Sequence, residues 1–494
     1  MGMTCTVTMP SEAAAEMHSV TWDDLYHADY QFPVPFLVGM EKGSFVAEQV
    51  VRLVPGRRMV VFGFWQGKPA VAKLFYDRND AARHYEKDVT GVEAMVEKKI
   101  PTAALISEGS AHDERIYVLI FDRILKGESL EKIWQMRECI DDVLPTLQAV
   151  MIELATQHVL GVMQSDMHMG NFIVNEKTIY TLDGADITSQ DMMLSREASM
   201  KNLALFLSQL GAGVNGLQEQ LFRHYARARG WLLKPQDSRE MRLRIKKWDE
   251  SRWKSYEKKI FRDSTEFVSI RLFTMRGTMC RDHAGEEFNQ FIQQPDAVFS
   301  RADAVMLKNG RSSTVMKVTL DGRELVVKRY NMKNIWHRLR RALRDTRAHQ
   351  SWRLAQKLNL FYVNTATPVA YIESNVMGVR GHSYYVTRYV GGQNIKQTLC
   401  AAQNEVVSKN LVARVSALLR SLAGLEITHG DLKATNILVN DQQQPVFIDL
   451  DGAREHLSSV GLHKAWQQEV ERLLQNFDDT PTIHELFRQK LRQK

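Results

Sequence analysis

One short pattern occurs twice in this chain of 494 residues, and it constrains the fold more than any other feature. The first copy is Gln164-Ser-Asp166-Met-His168-Met-Gly-Asn171-Phe-Ile-Val-Asn175, with Asp183 closing the apolar run that follows. The second is His429-Gly-Asp431-Leu-Lys433-Ala-Thr-Asn436-Ile-Leu-Val-Asn440, with Asp449 closing its run. Each copy sets an Asp, an Asn five residues on, an apolar strand, a polar turn, a second strand and a final Asp.

The segments upstream repeat as well. Residues 46–54, 59–65 and 69–75 read as three strands, rich in β-branched and aromatic residues and broken by Pro55-Gly56-Arg57-Arg58 and Gln66-Gly67-Lys68. Residues 304–308, 314–320 and 324–330 repeat the trio around Asn309-Gly310-Arg-Ser-Ser and Asp321-Gly322. The third strand carries Lys73 in one half and Lys328 in the other. A helix is expected over 80–99 and again over 336–357, then a Pro-marked segment, a strand (116–121; 384–389) and a helical stretch leading to the Asp motif. The halves are offset by 255 residues at the lysines and 265 at the first Asp, so this is a duplicated domain, not a short-period solenoid. The expected division is 1–290 and 291–494, with Gln293-Gln294-Pro295-Asp296 near the join. The first domain would include an N-terminal arm over about 1–35, helical or disordered at 12–17, and a helical extension over about 192–285.

These residue types in this order suit phosphoryl transfer. A lysine on a buried strand needs compensating charge, which nucleotide phosphates supply. Asp431 and Asp166 are the candidate general bases. Asn436 with Asp449, and Asn171 with Asp183, are the candidate metal ligands. Asp451 and Asp186 compete for the last position, which is given to Asp449 and Asp183 because each directly ends its strand. Lys433 stands where a cation would stabilise the transferring phosphoryl, and His168 takes that place in the first half. Lys328 and Lys73, with Gly310 and Gly56 in single-glycine hairpins, are the candidate nucleotide contacts. Taken singly, each has a plainer reading as an edge-strand lysine, a turn or a helix cap; duplication of the whole set decides against it. Neither half has G-x-G-x-x-G, and no GxxxxGK[ST] occurs, which excludes a P-loop enzyme.

Bulk properties narrow the setting. The net charge is +7, and residues 239–262 hold ten Lys or Arg against four acids. In 328–347, Asp345 is the only acid. Such runs are solvated helix faces or attract anions, and without an aromatic-and-basic nucleic-acid module they point away from nucleic acid. Four scattered cysteines, Cys5, Cys139, Cys280 and Cys400, form no CxxC pair, and no apolar stretch is long enough to span a bilayer. A cytoplasmic protein is expected.

The quoted residues resemble the protein-kinase-like superfamily. Asp166-Met-His168-Met-Gly-Asn171 is similar to the D-x-H-x-x-N loop of aminoglycoside and choline kinases, and His429-Gly-Asp431-Leu-Lys433-Ala-Thr-Asn436 to the protein-kinase catalytic loop. Leu325-Val-Val-Lys328-Arg-Tyr, the basic stretch after it, Thr367-Pro368-Val-Ala and Phe447-Ile-Asp449-Leu-Asp451 resemble the lipopolysaccharide core heptose kinase and Kdo kinase group of Gram-negative bacteria. The resemblance implies an α+β fold of two tandem kinase-like domains. Each would have a small antiparallel β lobe with one helix and a larger, mostly helical lobe. It also implies ATP and Mg2+ as cofactors and a sugar hydroxyl of the lipopolysaccharide inner core, or another anionic glycolipid, as acceptor. The implied setting is the cytoplasmic face of the inner membrane beside core-assembly enzymes. The alternatives are a protein Ser/Thr or small-molecule kinase, and a non-catalytic pseudokinase scaffold. Two departures stand out. Gln164 replaces the His of the first loop, and no Glu lies in the helix after Lys328, whereas Glu86 or Asp88 is available to Lys73. The second half has the fuller loop and is expected to be the active one.

Overall fold

The computed structural model describes residues 17–331, 345–376, 379–402 and 404–492. The possible helix over 12–16, Cys5 and the basic stretch over 332–344 lie outside them. The chain is mixed α and β, and every strand pairing in its two large sheets is antiparallel. It divides into two units, residues 1–209 with 216–246, and 210–215 with 247–494. The expected join at 290/291 therefore falls inside the second unit.

The first unit opens on a six-stranded sheet. Its strands are β1 (Phe36–Met40), β2 (Gly43–Val54), β3 (Arg58–Trp65), β4 (Lys68–Phe75), β5 (Leu105–Ser110) and β6 (Tyr117–Asp122), ordered β1-β2-β3-β4-β6-β5. β3 buries every second residue, as a sheet with one face on a core requires. Residues 17–35, expected as part of the N-terminal arm, are tied to this sheet. Val20 and Leu25 are buried in its core, and Trp22 Nε1 donates to the Tyr76 carbonyl at 3.0 Å. Helix α1 (Ala81–Glu97) follows β4. Gly91 of α1 faces Gly184 so closely that a Cβ on Gly91 would lie 1.8 Å from the Gly184 oxygen. Only glycine lets the helix approach the loop after Asp183 this closely.

The helical part of this unit includes α2 (Ile140–Val159) and α3 (Arg196–Ser208). At the end of α2, His158 is fully buried. Its Nε2–H donates to Asn202 Oδ1 at 3.0 Å, and Nδ1 accepts from the Tyr225 hydroxyl at 2.6 Å. Burial pushes the imidazole down to about 4. The unfolded chain, with an ordinary value near 6.5, takes up the proton first as pH falls. Stability should be full above pH 6.5, decline by about 3 kcal/mol between pH 6.5 and 4, and level off below. Urea unfolding of the first unit from pH 7 to 4, beside His158→Gln, measures this; an identical pH slope in both proteins would refute it.

The long helix α4 (Pro235–Lys259) leads from the first unit into the second. The second sheet has seven strands: β7 (Phe267–Arg271), β8 (Met275–Cys280), β9 (Val305–Asn309), β10 (Ser313–Leu320), β11 (Arg323–Tyr330), β12 (Pro368–Val376) and β13 (Val379–Arg388). Their order is β7-β8-β12-β13-β11-β10-β9. β7 and β8 correct the expected helical extension over 192–285. The helices end by 259, and residues 267–280 form a hairpin whose second strand pairs Met279 with Ala370 of β12. The alternation Phe267-Val-Ser-Ile270 buries its two ends, and β12 completes the pairing of the backbone. Among the described residues, the helix expected over 336–357 is α5 (Arg347–Leu360). Its Trp352, fully buried, packs with Leu419 and Leu422 of α6 (Glu405–Gly424), Phe447, and Phe477 in one core. No helix among the described residues is long and apolar enough to cross a membrane. Cys139, Cys280 and Cys400 are free thiols.

Candidate active sites

Both halves build the same backbone around the Asp-Asn-Asp set. Asn171 Nδ2 donates to the Asp166 carbonyl at 3.0 Å, and Asn436 Nδ2 to that of Asp431 at 2.8 Å. The Asn171 carbonyl accepts from Leu182 N at 2.8 Å, and that of Asn436 from Ile448 N at 2.9 Å. The two strand-ending acids then take the left-handed conformation, Asp183 at φ 67° and Asp449 at φ 59°. A non-glycine residue held there carries strain, of a kind concentrated at working sites.

The Gln164 departure has a structural explanation. His429 Nε2 donates to the Ile448 carbonyl at 3.0 Å, and Gln164 Nε2 donates to the Leu182 carbonyl at 2.9 Å. Each therefore anchors the residue before its strand-ending Asp. Burial holds the His429 imidazole below its usual value, so it serves as a neutral donor, which an amide reproduces.

The lysines are held alike but from different sources. Lys73 Nζ lies 2.7 Å from Asp88 Oδ2 and 3.2 Å from Asp183 Oδ1. Lys328 Nζ lies 2.6 Å from Asp449 Oδ1 and 2.7 Å from Asp451 Oδ2. In the first half the second acid is Asp88, on α1. In the second half, where the helix offers no acid, it is Asp451 in the loop itself. There Tyr330 Oη donates to Asp451 Oδ1 at 2.5 Å, and Ser351 Oγ on α5 to the same atom at 3.4 Å. Burial pushes the Asp183 carboxyl up, but Lys73 and Arg58 overcome it and hold it low. Burial likewise raises Asp449, and Lys328 with Lys308 outweighs it. Asp88 is fully buried, and there burial wins, leaving its carboxyl raised despite Lys73.

The base positions differ. Lys433 Nζ lies 2.9 Å from Asp431 Oδ1, and Arg472 Nη1 lies 3.5 Å from the same atom while donating to the Gly430 carbonyl at 3.0 Å. Arg472 comes from α7 (Ser459–Leu474), whose buried Glu469 accepts from the His429 and Gly430 amides. In the first half, His168 makes no ion pair with Asp166 among the described residues. Its Nδ1 accepts from Gly170 N at 3.0 Å, and its Nε2 is 3.8 Å from Glu131. The Asp166 carboxyl is pushed up by desolvation and by Asp186.

The hairpin glycines are turn residues. Gly56 has φ +66° beside Tyr26, and Arg57 Nε pairs with Asp77 Oδ2 at 3.2 Å. Gly310 closes the β9–β10 hairpin by donating to the Ser313 carbonyl at 3.0 Å, and the Gly310 carbonyl accepts from Asn331 Nδ2 at 3.0 Å. The cations whose fields reach the acids stand on the flanking strands: Arg58 for Asp183, and Lys308 for Asp449. Sequence reasoning placed Arg58 only in the hairpin after Gly56, and missed Lys308, Arg472, Glu469, Tyr330 and Ser351. The alternation of the strands could have found Arg58 and Lys308. The helix residues carry no local signal.

Residues 296–490 match the model of the lipopolysaccharide kinase (Kdo/WaaP) family. Family members are lipopolysaccharide kinases, so this protein is a phosphotransferase. The match lies wholly within the second unit and takes in Lys328, Asp431, Lys433, Asn436, Asp449, Asp451 and Arg472. No curated protein matches the chain. Kinases of this family imply ATP use and, typically, a divalent metal. The donor set suits such a metal. No three His, Cys, Asp or Glu side chains gather into a cage among the described residues. Two carboxylates and an amide oxygen would instead share a hard cation with phosphates and water, as magnesium prefers.

Proposed function

We propose that the second unit phosphorylates a sugar hydroxyl of the lipopolysaccharide inner core, of heptose or Kdo type, at the cytoplasmic face of the inner membrane. The observation that carries this is the Asp431 carboxylate flanked by Lys433 and Arg472 within the family-matched segment. In this reading each half is a kinase-like fold, a β lobe above a helical lobe. Asp431 orients the acceptor hydroxyl and takes its proton. Lys433 and Arg472 hold that carboxylate in place and receive an anionic acceptor. Lys328, freed from one of its acids, holds nucleotide phosphates. Asn436 and Asp449, with Asp451 beside them, would hold magnesium, which when bound neutralises charge on the phosphates. Neutral His429 and the α7 clamp through Glu469 keep the loop in place.

The first unit, in the same reading, has a nucleotide cleft around Lys73, Asn171 and Asp183, but among the described residues no cation is ion-paired to Asp166, and it serves as the less active or acceptor-binding half. The test is product analysis. Purified protein, ATP and core oligosaccharide should yield one added phosphoryl group on a heptose or Kdo, located by mass spectrometry and NMR. Transfer to protein or small alcohols, with none to the oligosaccharide, would replace this reading with a different kinase. No transfer and no nucleotide binding would replace it with a scaffold.

A further inference from the structure

The β7–β8 hairpin ends in Leu272-Phe273-Thr274-Met275, closed by Leu272 N donating to the Met275 carbonyl at 2.9 Å. Two choices at this tip work against folding. Phe273 sits at the turn 95% exposed, where Gly, Asn or Asp is preferred, and Leu272 beside it is 43% exposed. Directly below, Arg271 is paired across the hairpin with Arg276, an opposition of like charges that weakens a strand pair. The next strand places Glu373 opposite Arg276, and Glu373 accepts from Thr346 Oγ1 at 2.6 Å. A shallow groove of about 400 Å³ runs from the tip, with Phe261, Ile270 and Tyr371 in its lining and Arg271 and Arg276 beside them.

We infer that this hairpin tip is a membrane anchor, with Phe273 and Leu272 entering the interfacial layer of an anionic bilayer while Arg271 and Arg276 meet lipid phosphates. Both unfavourable choices are repaid there: the ring leaves water, and the paired arginines gain counter-charges. A bilayer fits better than an acidic protein, because a stable protein interface covers about 800 Å² on each partner and a single projecting turn offers far less. The inference deepens the membrane placement proposed above, yet it depends on no catalytic residue.

The test is flotation of the full-length protein with vesicles of phosphatidylcholine alone and with phosphatidylglycerol added. Binding should require the anionic lipid. It should fall about tenfold in Phe273→Ser and about fivefold in each of Arg271→Gln and Arg276→Gln. Circular dichroism and transfer to lipid-free core oligosaccharide should be unchanged in all three, which separates a failed anchor from a failed kinase. Absence of vesicle binding in the parent protein, or equal binding by all variants, would overturn the inference. So would Phe273-dependent retention on polyglutamate without vesicle binding, which would assign the tip to an acidic protein.

Discussion

Asp431→Asn should lower phosphoryl transfer by 10²–10⁴-fold while leaving nucleotide affinity nearly unchanged. The substitution keeps the shape of the side chain and removes its capacity to accept a proton. The backbone that Asn436 grips, through the Asp431 carbonyl at 2.8 Å, is untouched, so the loop should hold its form. Asp166→Asn should change turnover less than about threefold, because no positioned general base is then lost from the working half. The asymmetry rests on side chains. Asp431 has Lys433 at 2.9 Å and Arg472 at 3.5 Å, whereas the His168 ring is committed to Gly170 N. Steady-state kinetics with nucleotide titrations on both variants decides the matter. Equal losses in the two would mean that both halves work, and a loss confined to Asp166→Asn would reverse the assignment.

Lys73→Met should destabilise the first unit by about 3–5 kcal/mol, the usual result of removing one partner from a buried ion pair. Asp88 is fully buried, and its Oδ1 has no hydrogen-bond partner among the described residues, so Lys73 is the main compensation for its charge. Without the ammonium, Asp88 and Asp183 would face each other with the more distant Arg58 in its place. The Asp88 carboxyl, already raised in the parent, would rise further, so the defect should shrink as pH falls and the folded state takes up a proton. Adding Asp88→Leu should restore most of the stability, since a buried pair is often replaced by apolar residues at little cost. Amide hydrogen exchange in β4 and α1 reads the effect within one unit. Unchanged protection in Lys73→Met, or no recovery in the double variant, would show that the pair is not the support described.

Much of the architecture was legible because strands and turns write themselves locally. The trio of strands before each lysine was marked by alternation and by Gly56, Gly67, Gly310 and Gly322. The helix after Lys73 was expected at 80–99 and runs Ala81–Glu97. The hairpin 267–280 was not legible, because it follows a basic helical run and gains its pairing from β12, a strand about ninety residues on. The candidate residues were legible as a set since they recur at fixed spacing, and the structure brings Lys73 to Asp183 and Lys328 to Asp449. What surrounds them was not. Arg472 and Glu469 reach the catalytic loop from a helix some forty residues downstream, a distance at which sequence pattern carries no contact information. The sequence shows the missing acid after Lys328, but its replacement two positions past Asp449 depends on Tyr330 and Ser351 turning Asp451 inward.

The differing origin of the second acid has a bearing on how far the two halves could exchange parts. Transplanting α1 into the place of α5 would crowd Lys328 with three carboxylates. The reverse graft would leave Lys73 with one. Neither half could therefore borrow the other's helix without a matching change in its loop, so helix and loop form one exchangeable part at each lysine.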